Sequence, residues 1–417
     1  MPAPARIPFG RDQHMLAESG QAMITDRTAI RRRLAVRRTA HRPPWGGGKA
    51  RGHRSIVAPL GGAVAATVAV GLGLVVARAL ERERRAARAA RLPPQARRFG
   101  LRSDETPASG CRRIALGQLD LAIELLRGES SVPPEEAVHE TRKALKRLRA
   151  LMRLLEGELG AKRARRERAV LRDAAARLAG ARDAEVMVST LDALVERHPR
   201  KLGRGRGVAE LREDLERERL RASAHTLGDA LTREQVAEEL ARVRARVAKW
   251  KLPAERSAAR LTGVGLERIY RAGRRGRRRA GRRNAGPRML HKWRKHVKDL
   301  RYGAEVLDVR EQPKTGAEPS SGRRRRSGRT VKRSKRIAKV ARRADRLGEM
   351  LGEEHDLMLL AERVRAHESL KRARKRTRRR LLRAIARRRA RLRRRALREG
   401  ERLYAPRPRR FVRKMRA

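Results

Sequence analysis

Apolar residues after position 105 recur three and four positions apart, with polar residues between them, over most of the chain. This spacing places the apolar side chains on one face of a helix, whereas the alternation typical of a half-buried strand is scarce. Ala, Leu, Arg and Glu dominate the same region and favour helix intrinsically, so we predict an all-α fold. The predicted helices cover residues 107–127, 135–158, 162–179, 183–197, 207–226, 231–249, 265–284, 287–308, 331–351, 355–368 and 370–401.

One helical pattern, led by a histidine and rich in cations, occurs twice, about 150 residues apart. The first copy runs from Val138 to Arg149 and the second from Leu290 to Tyr302. In each copy, basic residues follow the histidine at the third, fourth, seventh and tenth positions. At about 100° per residue, the histidine and these cations share an arc of about 120° on one helix face, and apolar residues occupy the other side.

Each of these two faces carries charge of one sign, whereas a solvated helix usually mixes both signs in stabilising pairs. A row of cations repels itself and is tolerated best where a polyanion neutralises it. We therefore predict that both faces bind a polyanion, with the histidines donating hydrogen bonds; capping or packing of the helix start is the alternative role of each histidine. The predicted binding residues are His139, Arg142, Lys143, Lys146, Arg149, His291, Arg294, Lys295, Lys298 and Arg301.

Two further pairs of motifs flank the histidine-led helices in the same order. Upstream, Gly110–Ile114 is echoed by Gly265–Ile269, and downstream, Leu178–Asp183 is echoed by Leu351–Asp356. Three landmarks in one order predict an internal duplication.

Residues within the downstream landmarks have predicted supporting roles. Arg182 and His355 are predicted as second-tier contacts of the polyanion. Asp183 and Asp356 are predicted to brace neighbouring cations, because a carboxylate repels phosphate.

The second copy is less cationic than the first. It carries Asp299 and Glu305 at the positions where the first copy carries Arg147 and Arg153. An equal contribution of the two faces to binding is therefore not expected.

The landmarks resemble those of the CHAD family, the conserved histidine α-helical domain, whose halves carry V-H-x-x-R-x-x-x-[KR]-R-L-R and L-x-x-x-[RH]-D signatures. The tail from Glu401 to Val412 is also similar to the usual end of that family. The resemblance covers roughly residues 105 to 417. It implies two tandem antiparallel helical bundles, one per repeat, related by a pseudo-two-fold axis, with their basic faces turned toward a shared central cavity.

Shifts in composition divide the chain into segments with different predicted structures. Arg, Pro and Gly without periodicity predict disorder at the start, and Pro, Gly and Ser predict a flexible insertion in the second repeat. The predicted segments are a disordered basic arm at 1–55, a transmembrane helix at 56–80, a basic linker at 81–104, a first repeat at about 105–250 and a second repeat at about 262–417, with the basic insertion at about 311–330.

Composition supports a polyanionic ligand independently of the motifs. The chain has 111 Lys and Arg against 46 Asp and Glu, a formal net charge of +65, and binding of a polyanion to such a field should be strong and salt-sensitive. Aromatic residues make up only 2%, so the stacking platforms used for single-stranded nucleic acid are nearly absent. We predict binding of inorganic polyphosphate, with a nucleoid- or ribosome-associated nucleic-acid binder as the alternative.

Catalysis and cofactors find little support in the sequence. The zinc-protease pattern H-E-x-x-H, the pattern C-x-x-C and the phosphate-loop pattern are all absent. His291 and His296 diverge by about 140° on a helix, which is poor geometry for a shared metal. The lone Cys111 excludes an intrachain disulfide and is interpreted as a core thiol. We predict a binding protein without a cofactor rather than an enzyme.

The uncharged stretch from Ile56 to Ala77 is long enough to span a membrane, which requires about 20 apolar residues. Lys and Arg crowd both of its flanks, so the positive-inside rule alone leaves the orientation open. Because a short arm is easier to translocate than the long cationic region, we predict a single span with the CHAD-like region in the cytoplasm. A membrane hairpin or a purely interfacial seat is the fallback for this segment, and a cytoplasmic protein associated with polyphosphate granules is the alternative location.

Overall fold

A computed structural model describes residues 99–203, 205–309, 328–372 and 374–416, all within one compact unit, Val75–Ala417. Their regular secondary structure is entirely α-helical, which confirms the predicted class. The helices are α1 (Pro107–Arg127), α2 (Pro134–Leu154), α3 (Glu156–Leu159), α4 (Ala161–Arg177), α5 (Gly180–Arg197), α6 (Pro199–Leu202), α7 (Arg206–Gly228), α8 (Ala230–Ala248), α9 (Ala258–Ala280), α10 (Pro287–Leu307), α11 (Gly328–Ala366), α12 (Glu368–Arg372), α13 (Lys375–Tyr404) and α14 (Pro408–Arg416).

The other compact unit, Met1–Leu74, lies outside the described residues. So do the predicted basic arm, the predicted transmembrane helix with its stretch Ile56–Ala77, and most of the predicted linker and insertion. Within the described part of the chain, no helix is long and apolar enough to cross a membrane.

Local chemistry fixes several helix ends. α1 and α8 begin within one residue of their predicted starts, whereas α9 begins at Ala258, seven residues before its predicted start at 265. Ahead of α1, the hydroxyl of Thr106 accepts a hydrogen bond from the backbone N–H of Ser109 at 3.2 Å. After α1, Gly128 has φ 76°, a left-handed conformation that glycine adopts without strain. Asp229 and Ser257 cap α8 and α9 through their side chains in the same way as Thr106.

The larger hydrophobic cluster draws on both halves of the chain. It contains apolar side chains of α1, α2, α4, α8, α9, α10 and α14, of the first part of α11 and of the end of α13. The apolar faces of the histidine-led helices α2 and α10 belong to it, with Leu145, Leu148, Val297 and Leu300 fully buried. Each such side chain stabilises the fold by roughly 1.5–3 kcal/mol. This burial holds the opposite, cationic faces away from the core.

A smaller hydrophobic cluster joins the two halves a second time. Its members from the first half include Leu191 of α5 and Leu211 of α7, and those from the second half include Leu360 of α11 and Leu381 of α13. α11 and α13 therefore contribute to both clusters. The most extensive helix pairings lie within each half, α1 with α2 and α8 in the first and α10 with α9 and α11 in the second, and the two clusters add packing between the halves. The internal duplication itself stays a prediction from the sequence.

α11 is longer than the sequence predicted, since it merges the helices expected at 331–351 and 355–368 and begins inside the insertion expected at 311–330. Gly352, which falls in the gap between those two expected helices, lies within α11 and is buried. A Cβ atom at this position would lie 3.2 Å from Nη2 of Arg294 on α10. The glycine thus permits a close approach of that arginine instead of ending the helix.

Residues ahead of the predicted domain start at 105 belong to the packed core. Phe99 and Leu101 are 7% and 3% exposed, and the backbone N–H of Leu101 donates to the carbonyl of Val306 at 3.0 Å. The guanidinium of Arg147 lies over the Phe99 ring, 4.8 Å from its centroid. The linker expected at 81–104 therefore ends no later than residue 98.

Candidate functional site

A cavity of about 480 Å³ is lined by the two histidine-led helices together with α5 and α11. It brings together most of the predicted binding residues and several that the prediction did not contain. The lining residues are His139, Arg142, Lys146, Arg149 and Arg153 of α2, Asp183, Val186 and Met187 of α5, His291, Arg294, Lys295, Lys298, Asp299 and Tyr302 of α10, and His355, Asp356 and Leu359 of α11.

The two cationic faces line the same cavity. Lys146 and Lys298 hold the same position after their respective histidines, and the charge of Lys146 acts directly on Lys298. Helical periodicity turns each cationic face away from the buried apolar face, and the packing of α2 and α10 brings the two cationic faces into one space. The sequence predicted the faces, while their meeting in one cavity was implied only by the family resemblance.

Arg142 is held from the side by α5 and the residue before it. Its Nη1 donates to the carbonyl of Ala179 at 3.1 Å, and its Nη2 lies 3.4 Å from Oδ1 of Asp183. The predicted bracing of a cation by Asp183 is thus present for Arg142. These contacts orient the guanidinium and leave its Nε without a hydrogen-bond partner among the described residues.

Four buried nitrogen atoms around the cavity have no hydrogen-bond partner within the described part of the chain. They are Nε of Arg142, Arg149 and Arg294, and Nδ1 of His291. A buried donor left unsatisfied costs about 1–3 kcal/mol, and more where the group is charged. These atoms are shielded from solvent in the ligand-free protein, so a bound anion would pair with them only after the side chains shift.

Cations outnumber acids in the cavity wall, with seven Lys and Arg against three Asp. Burial, followed by the charges of Arg294, Lys146 and Arg301, lowers the pKa of Lys298 to about 7, against an opposing effect of Asp356. The cavity therefore holds more positive charge than its own carboxylates balance. A bound anion would favour the protonated form of Lys298.

The histidines of the second half lie against each other. The rings of His291 and His355 are 4.5 Å apart between centroids and tilted by 42°. Burial, followed by His291 and Arg294, lowers the pKa of His355 to about 4, and burial, followed by Lys295, lowers the pKa of His291. Both imidazoles are therefore neutral at pH 7 in the ligand-free protein, and each can donate through one ring N–H.

His355, a predicted second-tier contact, lines the cavity. The side chain of Arg182, the other predicted second-tier contact, lies outside the described residues. Among the described residues, no group of three or more His, Cys, Asp or Glu side chains is arranged to hold a metal ion.

Two of the predicted binding residues, Lys143 and Arg301, are absent from the cavity wall. Nζ of Lys143 donates to the buried Glu140 at 2.8 Å. Nε of Arg301 donates to Glu305 at 2.7 Å, and its Nη1 pairs with Asp345 of α11. Carboxylates already occupy both cations, so each face loses one of its predicted contacts.

Arg153 lines the cavity although the sequence analysis did not select it. Its Nη1 lies 2.6 Å from Oδ1 of Asp299, the acidic residue that makes the second face less cationic. Arg153 follows His139 by fourteen positions, which at about 100° per residue returns it to the arc of the other cations. Extending the helical count by one turn would have found it.

In the described residues, the fold is all-helical and two histidine-led helices place their cations around one open cavity. Residues 113–310 match the family model described as CHAD domain. This match spans 198 of the 417 residues and agrees with the resemblance of the motifs to CHAD domains.

One solved structure similar to this chain is titled "Crystal structure of the CHAD domain from the plant Ricinus communis". The two chains are 19% identical, with a TM-score of 0.48, and the match covers 74% of this chain and 94% of the other. No curated protein sequence matches this chain.

Proposed function

We propose that the cavity between α2, α5, α10 and α11 binds inorganic polyphosphate without chemically altering it. The observation that carries the proposal is that seven Lys and Arg side chains of α2 and α10, against three Asp, line one cavity among the described residues. Each phosphoryl group of a linear chain offers oxygen acceptors to these donors. The CHAD family is, in addition, associated with polyphosphate binding.

The side chains of the cavity suit phosphate chemically. Arginine offers a planar fork of donors that can contact two phosphate oxygens, whereas lysine acts as a compact, mobile charge. Arg142, Arg149 and Arg294 would orient the chain, and Lys146 and Lys298 would neutralise it from opposite walls. His291 would add a neutral N–H donor, with His355 behind its ring.

The size and lining of the cavity favour polyphosphate over nucleic acid. A space of about 480 Å³ is too small for a duplex whose major groove alone is about 12 Å wide. Tyr302 is the one Phe, Tyr or Trp among the lining residues, so single-stranded bases would find little to stack on. Nucleic acid remains the alternative ligand, and it would have to contact the outer, basic surface.

The decisive experiment removes four cations of the wall by the substitutions Arg142→Ala, Lys146→Ala, Arg294→Ala and Lys298→Ala. Hydrogen bonds to charged groups contribute about 1.5–3 kcal/mol each. We therefore expect polyphosphate affinity to fall at least about 100-fold. Binding is measured with polyphosphate of graded lengths over a salt series, and helix content is checked by circular dichroism.

The matched control removes the same number and types of cation outside the cavity. It carries alanine at the exposed residues Lys249, Lys251, Arg379 and Arg380. We expect its affinity to change little, because these charges contribute only to the general field of the protein. Equal loss in both variants would mean that net charge, and not the cavity, holds the ligand.

Two further measurements separate the alternatives. Excess duplex DNA should fail to displace long-chain polyphosphate from the wild-type protein; complete displacement would favour the nucleic-acid binder. The wild-type protein, incubated with polyphosphate and Mg²⁺ or Mn²⁺, should release no phosphate. Release that the four-alanine variant abolishes would make the protein an enzyme.

The membrane location is a separate part of the proposal and rests on the sequence of Ile56–Ala77. We propose that this segment tethers the polyphosphate-binding region to the cytoplasmic side of a membrane. The cations that follow the segment, within 81–98, would be attracted to anionic lipids by roughly 1 kcal/mol each.

A further inference from the structure

A second cavity, of about 690 Å³, lies where the first part of α11 meets the end of α13 and α14. It shares no lining residue with the polyphosphate cavity. Its volume falls within the range of about 300–1,000 Å³ that is typical of small-molecule sites. Nothing in the proposed binding of polyphosphate makes use of it.

The floor of the second cavity is apolar and firmly held. Phe411 of α14 stacks on Tyr270 of α9 with ring centroids 3.8 Å apart. The hydroxyl of Tyr270 lies 3.1 Å from the carbonyl oxygens of both Leu403 and Pro406, so it fixes the turn between α13 and α14. The apolar lining residues are Val340, Leu403, Pro406, Phe411 and Met415.

The rim of the second cavity is entirely basic. Of the described residues that line it, six are Lys or Arg and none is Asp or Glu. Arg336 donates to the backbone carbonyl of Lys414 at 3.3 Å, a contact that leaves both charges unneutralised. The cations of the rim are Arg336, Lys339, Arg343, Arg402, Arg413 and Lys414.

The charge of this rim narrows the choice of occupant. The segment 310–327 of the same chain is itself net basic, with Arg at 310 and 323–326, so the rim would repel it. A second copy of the protein would present the same positive rim. Polyphosphate satisfies the charge but has nothing to fill an apolar floor, which water would otherwise have to cover.

We infer that the second cavity binds an anionic amphiphile, with the alkyl chain on the apolar floor and the acidic head group held by the basic rim. A concave pocket of this size suits one alkyl chain better than an extended peptide. The ligand is either a free amphiphile, such as an alkyl phosphate or alkanoate, or an anionic lipid at a membrane surface. Both sources present the same chemistry to the cavity.

The inference requires that both the alkyl chain and the negative head group of the ligand contribute to binding. We test this on the full-length protein with n-alkyl phosphates of 8 to 14 carbons, each below its critical micelle concentration. Burial of one methylene group contributes about 0.8 kcal/mol, so affinity should rise about fourfold per carbon until the floor is filled. The n-alkyltrimethylammonium ions of the same lengths carry the opposite charge and should bind far more weakly. Equal binding of both series, or no dependence on length, would overturn the inference.

Two variants test the location. Val340→Trp fills the half-buried edge of the floor and should weaken dodecyl phosphate binding at least tenfold. Alanine at Lys339, Arg413 and Lys414 should also weaken dodecyl phosphate binding at least tenfold. This variant leaves the core unchanged, so it tests the location even if the tryptophan variant fails to fold. Wild-type affinity in a folded form of either variant would contradict the assignment.

The control for the rim variant takes three exposed cations on α11 outside the second cavity. It carries alanine at Lys332, Lys335 and Arg342, which removes the same number of Lys and Arg residues. It should bind dodecyl phosphate like the wild type. If the control loses as much dodecyl phosphate affinity as the rim variant, the effect comes from the general charge of the protein and the inference is wrong.

Phosphatidylglycerol vesicles distinguish the two sources of ligand. Vesicle binding that Val340→Trp weakens assigns the site to a membrane lipid. If Val340→Trp weakens dodecyl phosphate binding but the wild-type protein does not bind vesicles, or the variant binds them as well as the wild type, the ligand of the second cavity is a free amphiphile. A third outcome would overturn the inference in favour of a protein partner. In that case an acidic peptide binds and saturating dodecyl phosphate does not displace it, while neither amphiphile shows binding that the variants weaken.

Discussion

Arg153 of the first histidine-led helix and Asp299 of the second form an ion pair, with 2.6 Å between Nη1 and Oδ1, at the edge of the proposed polyphosphate cavity. Asp299 is 8% exposed, and its burial raises its pKa while Arg153 lowers it. The pair thus joins the two helices and withholds one cation from the ligand. The ion pair therefore stabilises the fold and, at the same time, lowers the affinity for polyphosphate.

Replacement of Asp299 by Asn should raise polyphosphate affinity severalfold and lower stability. The amide keeps the shape of the side chain but leaves the guanidinium of Arg153 without its counter-charge, so we expect the free energy of unfolding to fall by about 1–3 kcal/mol. Chemical denaturation and binding measured on the same preparation check both effects.

The control for this prediction is Asp173→Asn, which breaks the exposed pair between Arg172 and Asp173. Such surface pairs contribute about 0–1 kcal/mol. An Asp299→Asn protein that binds no better than the wild type would mean that Asp299 does not restrain Arg153.

Arg149 and Arg301 hold the same position in the two copies and should behave differently. Arg149→Ala removes a buried donor that lines the cavity, so affinity should fall about tenfold or more. Arg301→Ala breaks contacts with Glu305 and Asp345, so it should lower the melting temperature and leave affinity nearly unchanged. Equal effects of the two variants on binding would contradict the distinction between the two halves.

Binding should strengthen as the pH falls from about 8 to 6. The pKa of Lys298 lies at about 7 in the ligand-free protein, and an anion raises it, so binding takes up protons in this range. Isothermal titration calorimetry in two buffers of different ionisation enthalpy measures the uptake. Lys298→Arg, which stays charged, should flatten the dependence, and a pH-independent affinity in the wild type would count against this role.

The same group should affect the stability of the free protein with the opposite sign. The folded state holds the proton of Lys298 less tightly than the unfolded state, whose pKa is near the ordinary 10.5. Through this group, stability should therefore rise with pH between about 7 and 10. Denaturation curves of wild type and Lys298→Met over this range isolate the contribution.

A protein that begins at residue 99 should remain folded, bind polyphosphate and leave the membrane fraction, whereas the full chain should resist extraction by salt and carbonate. A protein that begins at residue 105 loses Phe99 and Leu101, each worth about 1.5–3 kcal/mol when buried, and should melt at a lower temperature. Complete release of the full chain by salt alone would rule out a membrane-spanning segment.

The periodicity of apolar residues was sufficient to predict the helical class and the direction of both cationic faces. It could not predict that Arg149 lines the cavity and Arg301 does not, because one of the carboxylates that pair with Arg301 is Asp345, which lies on another helix. Nor could it identify Gly352 as the point where Arg294 approaches α11. Contacts between distant segments decide which cations remain available, and such contacts leave no periodic signal.

The packing between the two halves could not be predicted for a related reason. Leu191 and Leu211 have the spacing of any amphipathic helix, and nothing local to them specifies that Leu360 and Leu381 will cover them. A single sequence carries no record of that pairing. The landmark Gly265 is similar: a Cβ atom there would lie 1.9 Å from the carbonyl oxygen of Leu154, so its role in helix packing appears only in three dimensions.

The passage of α11 and α13 through both hydrophobic clusters has a consequence for synthesis on the ribosome. α5, α6 and α7 leave the exit tunnel long before Leu360, Leu381 and Leu392, which complete their cluster. Their apolar faces stay exposed to water while some 150 further residues are translated, at roughly 5–20 residues per second. For those seconds the nascent chain is a strongly cationic amphiphile beside ribosomal RNA, so a chaperone or a polyanion that shields α5–α7 would act before folding is complete.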